Sequence, residues 1–237
     1  MIGIIGAMAS EVTLLLEHME TPVKTRVGMT DYYTGTLCGQ PVAVAECGIG
    51  KVCAAMCAQA MFDRFAVSCL INTGVAGGLH PSLNVGDLVI AVDAVQHDFD
   101  LSPYGYARGF LPAFGGDGKS PTRFQADEGL NDRFAKAADA VMAGSDQKYI
   151  YGTVVSGDIF VDDGALKKQL VAAFNAAAVE MEGAAIAAVA AANGIPFAVI
   201  RAISDLAEEE AHVSFELFEK EAARLSAEIL MRMLEDF

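Results

Sequence analysis

Residues 197–205 read FAVIRAISD, and Arg201 is the only charge before the closing Asp205. A strand with one wet face alternates apolar and polar residues; this one does not. FAVIRAIS therefore predicts a strand covered on both faces, as in a sheet sandwiched between helices. Similar β-rich runs occur at 1–7, 32–38, 41–47, 67–73, 85–95, 149–155, 177–181 and 196–203. They alternate with helix-like stretches at 9–19, 51–63, 128–142, 163–173, 183–193 and 213–235. In the last of these, Phe215, Phe218, Ala222, Leu225, Ile229 and Met233 recur at three- and four-residue steps. The pattern is α/β. It predicts a central, mixed, largely parallel twisted sheet with helices on both faces. No Pro/Ser-rich linker or charge block divides the chain, so one domain is expected over 1–237.

Composition narrows the function. With 16 basic against 31 acidic residues, the formal charge of −15 repels phosphate backbones and anionic lipid, so neither nucleic acid nor a membrane surface is an expected partner. Charges or turn residues interrupt every apolar stretch before it could cross a bilayer. The start, MIGIIGAMASE, has no basic region and too short an apolar run for a signal peptide, which points to the cytoplasm. Cysteines 38, 47, 53, 57 and 69 contain no CxxC pair and suit reduced, buried thiols. His97-Asp98 and Asp162-Asp163 have no metal-ligand spacing, and GxGxxG and the full P-loop are absent. Neither a metal nor a cofactor is expected.

Open α/β sheets bind ligands at the carboxyl ends of their strands. There the sequence places Met8-Ala9-Ser10-Glu11, Gly48-Ile49-Gly50-Lys51, Gly74-Val75-Ala76-Gly77-Gly78, Ser156-Gly157-Asp158-Ile159-Phe160, Glu180-Met181-Glu182 and Ser204-Asp205. Glycines let a flat ligand approach the backbone, and Glu11, Glu182 and Asp205 would point into one cleft. Glu180 and Glu182 are the only charges between Leu170 and Ile200. Burying a carboxylate costs several kcal/mol unless it is paired, so both need partners. Arg201 stands about 13 Å along the strand from Asp205, which makes Glu180 its better partner. Taken singly, Glu11 could merely favour a helix N-terminus, worth about 0.3–1 kcal/mol, and Asp205 could be a helix cap. The segment 97–125 lacks any period and is rich in Pro and aromatics, as suits a site wall, a dimer contact or a surface excursion.

Together GIIGAM with Glu11 (3–11), CGIGK (47–51), NTGVAGG (72–78), VSGDIF (155–160), VEME (179–182) and RAISD (201–205) resemble the 5′-methylthioadenosine/S-adenosylhomocysteine nucleosidases of the nucleoside phosphorylase superfamily. The resemblance runs from residue 1 to the last helix. It implies hydrolysis of the N-glycosidic bond of an adenine thionucleoside by water, without a cofactor. Glu11 matches the general base, Asp205 the acid at adenine N7 with Ser204 beside it, and Glu182 the carboxylate on the ribose hydroxyls. Phe160 and Val161 match the base-reading segment, and Met181 the sugar contact. Met8, Ile49, Leu101, Tyr104 and Phe215 match wall positions, and Val75, Ala76, Gly77, Glu180 and Arg201 complete the expected pocket. Tyr106 and Pro112 match positions that enter a neighbouring subunit's pocket, which implies a homodimer. Val75 stands where several members have Ser or Thr, and GGDGKSP (115–121) lengthens its loop. A purine nucleoside phosphorylase, a futalosine-type hydrolase and a non-catalytic nucleoside sensor are the alternatives; Glu11 in place of a phosphate-binding Arg disfavours the first.

Overall fold

The computed structural model describes residues 1–208 and 211–237. In chain order its elements are β1 (Ile2–Gly6), α1 (Ala9–His18), β2 (Glu20–Val27), β3 (Thr30–Leu37), β4 (Gln40–Glu46) and α2 (Lys51–Phe65). Then come β5 (Cys69–Gly78), β6 (Leu88–Gln96), β7 (Phe124–Gln125), α3 (Glu128–Val141), β8 (Tyr149–Ser156) and α4 (Gly164–Phe174). The last are β9 (Ala176–Glu180), α5 (Gly183–Asn193), β10 (Phe197–Asp205) and α6 (Ala211–Glu235). The strands join in one mixed sheet in the order β10-β6-β8-β9-β5-β1-β4-β3-β2, and a further β10–β5 pairing closes β5, β10, β6, β8 and β9 into a ring. Parallel pairing holds β4-β1-β5-β10 and β6-β8-β9. Antiparallel pairing makes the β2-β3-β4 wing, the β10–β6 and β5–β9 seams, and the short β6–β7 contact.

All nine residues of β10 are buried, and the reason is visible in the side chains. Successive strand residues face opposite sides. Ile5, Ala43, Leu70 and Val199 pack in the core that includes Ala54, Cys57, Ala58 and Met61 of α2 and Ala184 and Ala187 of α5. Ile4, Val44, Ile71 and Ile200 pack in the other core, with Val12 and Leu15 of α1, Phe134 of α3 and Leu230 of α6. Both faces are therefore covered. All five cysteines are free thiols. Among the described residues no helix is long and apolar enough to cross a membrane.

The structure departs from the sequence pattern in three places. β2 was not anticipated because ETPVKTRV is an edge strand with every residue but its last exposed, so it carries no apolar period. β5 runs five residues beyond 73, through the whole of NTGVAGG, and each of those residues is buried. Glycine disfavours strands, but here close neighbours demand it. Gly74, at φ +150°, lies where a Cβ would collide with the Glu11 carboxylate and the Arg201 guanidinium. Likewise β10 continues to Asp205, with an irregularity after Ile203 where it pairs with β5. Gly74, Gly77, Gly78 and the terminal Asp205 are thus strand residues rather than loop residues beyond a strand.

Candidate active site

A cleft opens at the carboxyl ends of β1, β5, β9 and β10. Its lining comprises Ala7, Met8 and Glu11, Ile49, Val75-Ala76-Gly77, Ile159-Phe160-Val161, Val179-Glu180-Met181-Glu182, Ser204-Asp205 and Phe215. Phe160 and Phe215 face each other edge to face, 5.7 Å between centroids. Among the described residues, the lining side chains are apolar apart from Ser204 and four carboxylic acids, and include no Lys, Arg or His.

Glu11 sits in the first turn of α1 and is buried. Its Oε2 accepts backbone N–H groups from Ala7 at 2.5 Å and Met8 at 3.1 Å, and its Oε1 accepts the Val75 N–H at 3.0 Å. Burial pushes its pKa above the ordinary carboxylate value, against the opposing pull of Arg201 and these three N–H groups. Glu182, which precedes α5, accepts the Gly50 N–H at 2.8 Å. Burial and then the neighbouring Glu180 push its pKa up to about 8, with Arg201 opposing.

Arg201 lies beneath these acids, fully buried. Its Nη2 donates to Glu180 and to the Asn72 side-chain oxygen, with Glu182 Oε2 3.7 Å away, while Nη1 is 3.9 Å from Glu11 Oε1. One cation is thus shared by three carboxylates. Glu180 is the fully engaged member: it pairs with Arg201, accepts the Ser156 hydroxyl and accepts the N–H groups of Glu182 and Gly183. This places it against the N-terminus of α5, where an anion is favoured.

Asp205 closes β10. Its Oδ1 accepts the Ala207 N–H at 2.8 Å and its Oδ2 accepts the Ser204 hydroxyl at 2.9 Å. Burial raises its pKa, opposed by those two donors and the charge of Lys167. A Cβ on Gly77 would stand 2.9 Å from Asp205 Oδ1, so the glycine leaves room for the acid. A buried acid with a raised pKa beside a cleft is what proton donation near neutral pH requires.

Glu11, Glu182, Asp205, Glu180, Met8, Ile49, Val75, Ala76, Gly77, Phe160, Val161, Met181, Ser204 and Phe215 therefore meet in one place. Three other expected pocket residues do not line it. Arg201 acts from below, because its guanidinium is consumed by buried carboxylates. Leu101 and Tyr104 lie outside, on the segment that follows β6, and Tyr104 is 81% exposed at a short 3-10 turn. Tyr106 and Pro112 also lie outside this chain's own cleft. Ala7 and Val179 line it without a signal in the sequence, and Ile159, which the sequence places at a strand's carboxyl end without a role, lines it too. Ala7 and Ile159 adjoin chosen residues, Met8 and Phe160, but small or aliphatic side chains give no chemical signal. No cluster of three or more His, Cys, Asp or Glu suited to a metal occurs among the described residues.

Residues 1–235 match the model of the phosphorylase superfamily. The chain is 43% identical over 237 residues to the 5′-methylthioadenosine/S-adenosylhomocysteine nucleosidase of Anoxybacillus flavithermus, covering 99% of this chain and 98% of the relative. It superposes on the Neisseria meningitidis enzyme of that name, solved with methylthio-immucillin-A, with a TM-score of 0.92 at 38% identity, over 100% of this chain and 99% of the other. A futalosine hydrolase mutant of Helicobacter pylori is similar too, with a TM-score of 0.90 at 35% identity, over 100% and 99% of the two chains.

Proposed function

The chain belongs to the phosphorylase superfamily, and from that premise we propose that it hydrolyses the N-glycosidic bond of 5′-methylthioadenosine and S-adenosylhomocysteine. Water supplies a hydroxyl to the ribosyl carbon and a proton to the base, giving adenine and the free thioribose. The observation that carries this is the charge of the cleft: among the described residues four carboxylic acids line it and no basic side chain does. A phosphate nucleophile would meet those acids without a cationic partner, whereas a water molecule needs a carboxylate to take its proton.

In this reading Glu11 is the base. Adenine leaves poorly as an anion, so Asp205 gives N7 a proton as the bond stretches, and Ser204 orients it. Glu182 binds the ribose hydroxyls, and these hydrogen bonds tighten as the sugar becomes cationic, an interaction stronger in the transition state than in the ground state. Phe160 and Val161 hold the base, Met181 packs on the sugar, and Met8, Ile49 and Phe215 enclose the 5′ side. Arg201 and Glu180 support these groups from beneath. Val75 contributes its backbone N–H to Glu11 and an apolar side chain to the wall.

The enzyme works as a cytoplasmic homodimer in the same reading. Ile49 just before α2, and Val52 and Met56 on it, leave an apolar stripe, with Val52 69% and Met56 50% exposed, and Tyr104, Tyr106 and Phe114 are exposed on the 97–123 segment. Such a surface supports burial against a second copy, with Tyr106 and Pro112 entering its pocket. Purified chain incubated with methylthioadenosine in phosphate-free buffer should release adenine. Release that waits for added phosphate would move it to the phosphorylases, and none in either case would favour a futalosine-type substrate.

A further inference from the structure

Three charged side chains stand just outside the cleft and do none of the chemistry described above. Lys51 opens α2, Asp98 follows β6 and Asp158 follows β8, and none of them lines the cleft. They nonetheless close a cycle. Lys51 Nζ pairs with Asp98 Oδ1 at 2.5 Å, Asp98 Oδ2 accepts the Asp158 N–H at 2.9 Å, and Asp158 Oδ1 accepts the Lys51 N–H at 2.8 Å. The Lys51 and Asp98 side chains keep only 16% and 18% of their exposure, so this is not a solvated surface pair of negligible worth. Burial alone would raise the Asp98 carboxyl, but Lys51 and the Asp158 N–H outweigh it and hold it below its ordinary value.

Two corners of the cycle, Lys51 and Asp158, adjoin the site in sequence, and Asp98 ties them together. Next to Lys51 is Gly50, whose N–H holds Glu182 at 2.8 Å, and then Ile49 on the wall. After Asp158 come Ile159, Phe160 and Val161, the loop that faces the base. Gly50 itself, at φ +100°, would carry a Cβ 3.0 Å from Asp158 Oδ1, so the two segments touch. We propose that Lys51, Asp98 and Asp158 are positioning residues that fix the spacing between the base-binding loop 159–161 and the sugar-binding pair Gly50–Glu182. The proposal rests on the nucleosidase reading for what each half of the cleft binds.

Spacing matters only to a ligand that spans both halves. A nucleoside does so; free adenine touches the base half alone and follows that loop if it shifts. Breaking the cycle therefore penalises the nucleoside more than the base, because the misplaced half must be realigned at every turnover. If the cycle served stability alone, breaking it would lower the melting temperature and leave this ratio unmoved.

The test uses Lys51→Met and Asp98→Asn, with Lys51→Arg as the conservative variant, each assayed well below its own melting temperature. We expect kcat/KM for methylthioadenosine to fall roughly 10- to 100-fold in the first two, adenine affinity to change by less than about threefold, and Lys51→Arg to recover much of the loss. Equal losses for nucleoside and adenine, or none for either, would overturn the positioning role in a wild type that cleaves normally. A wild type that binds adenine yet cleaves no nucleoside would overturn the parent reading and this role together.

Discussion

Glu11 is placed by ordinary helix-end chemistry: the N–H groups of Ala7 and Met8, just outside α1, donate to one of its oxygens, and Val75 of β5 to the other. The same burial that raises its pKa strengthens it as a base. Glu11→Gln keeps the shape and removes the proton acceptor, so kcat should fall about 10²- to 10⁴-fold while ligand affinity changes little; near-normal turnover would refute the assignment. Asp205 must act protonated, so activity is lost as pH rises through its raised pKa, and Glu11 must act ionised, so activity is lost as pH falls through its own. The pH profile of kcat/KM should therefore be bell-shaped, with its acidic limb above the ordinary carboxylate range and its alkaline limb missing in Asp205→Asn. A profile that keeps the alkaline limb in that variant would contradict the role. These acids were legible in the sequence because a charge in an apolar run demands a reason. Ala7 and Val179 were not, because an aliphatic wall residue looks the same as a core residue until the chain is folded.

Among the elements, β5 shows how the site constrains the fold. Its glycine-rich segment reads as a loop, yet it pairs with β10 and brings Gly74 opposite Arg201. The glycine is there to make room for Glu11 and Arg201, not for a turn. Gly74→Ala combines an unfavourable φ with a collision against Glu11 and Arg201. It should cost about 1–3 kcal/mol from backbone strain alone, read by urea unfolding, and depress kcat/KM by displacing Glu11; wild-type stability and turnover would contradict this. On the other face of β5, the Ser226 hydroxyl of α6 meets Thr73 Oγ1 at 2.8 Å and the Gly74 N–H at 3.3 Å, so the last helix pins the same strand. The covered strands β1, β4, β6, β8 and β10 were legible from continuous apolar runs. The exposed edge β2 was not, since nothing in ETPVKTRV distinguishes a paired edge from a polar connection.

For the whole molecule, net charge and buried acids pull stability the same way. Glu182 has a folded pKa near 8, above its ordinary 4.5; the stability tied to its protonation is complete below 4.5 and is lost as pH rises through 8. Relief of the formal −15 charge acts in the same direction. The ligand-free protein should therefore melt higher at about pH 7 than at about pH 8.5, and Glu182→Gln should flatten the difference; an unchanged slope would remove Glu182 as its source. In the dimer reading, Val52→Glu with Met56→Glu should yield a species of one 24.9 kDa chain by sedimentation and lower kcat/KM by withdrawing the partner's Tyr106. A dimer that survives both charges would shift the contact to another face. In the nucleosidase reading, the acid-lined cleft activates water and refuses phosphate. The most direct test of that reading is the identity of the sugar product when methylthioadenosine is cleaved in saturating phosphate. Free methylthioribose alone is the result expected, and methylthioribose 1-phosphate would contradict it.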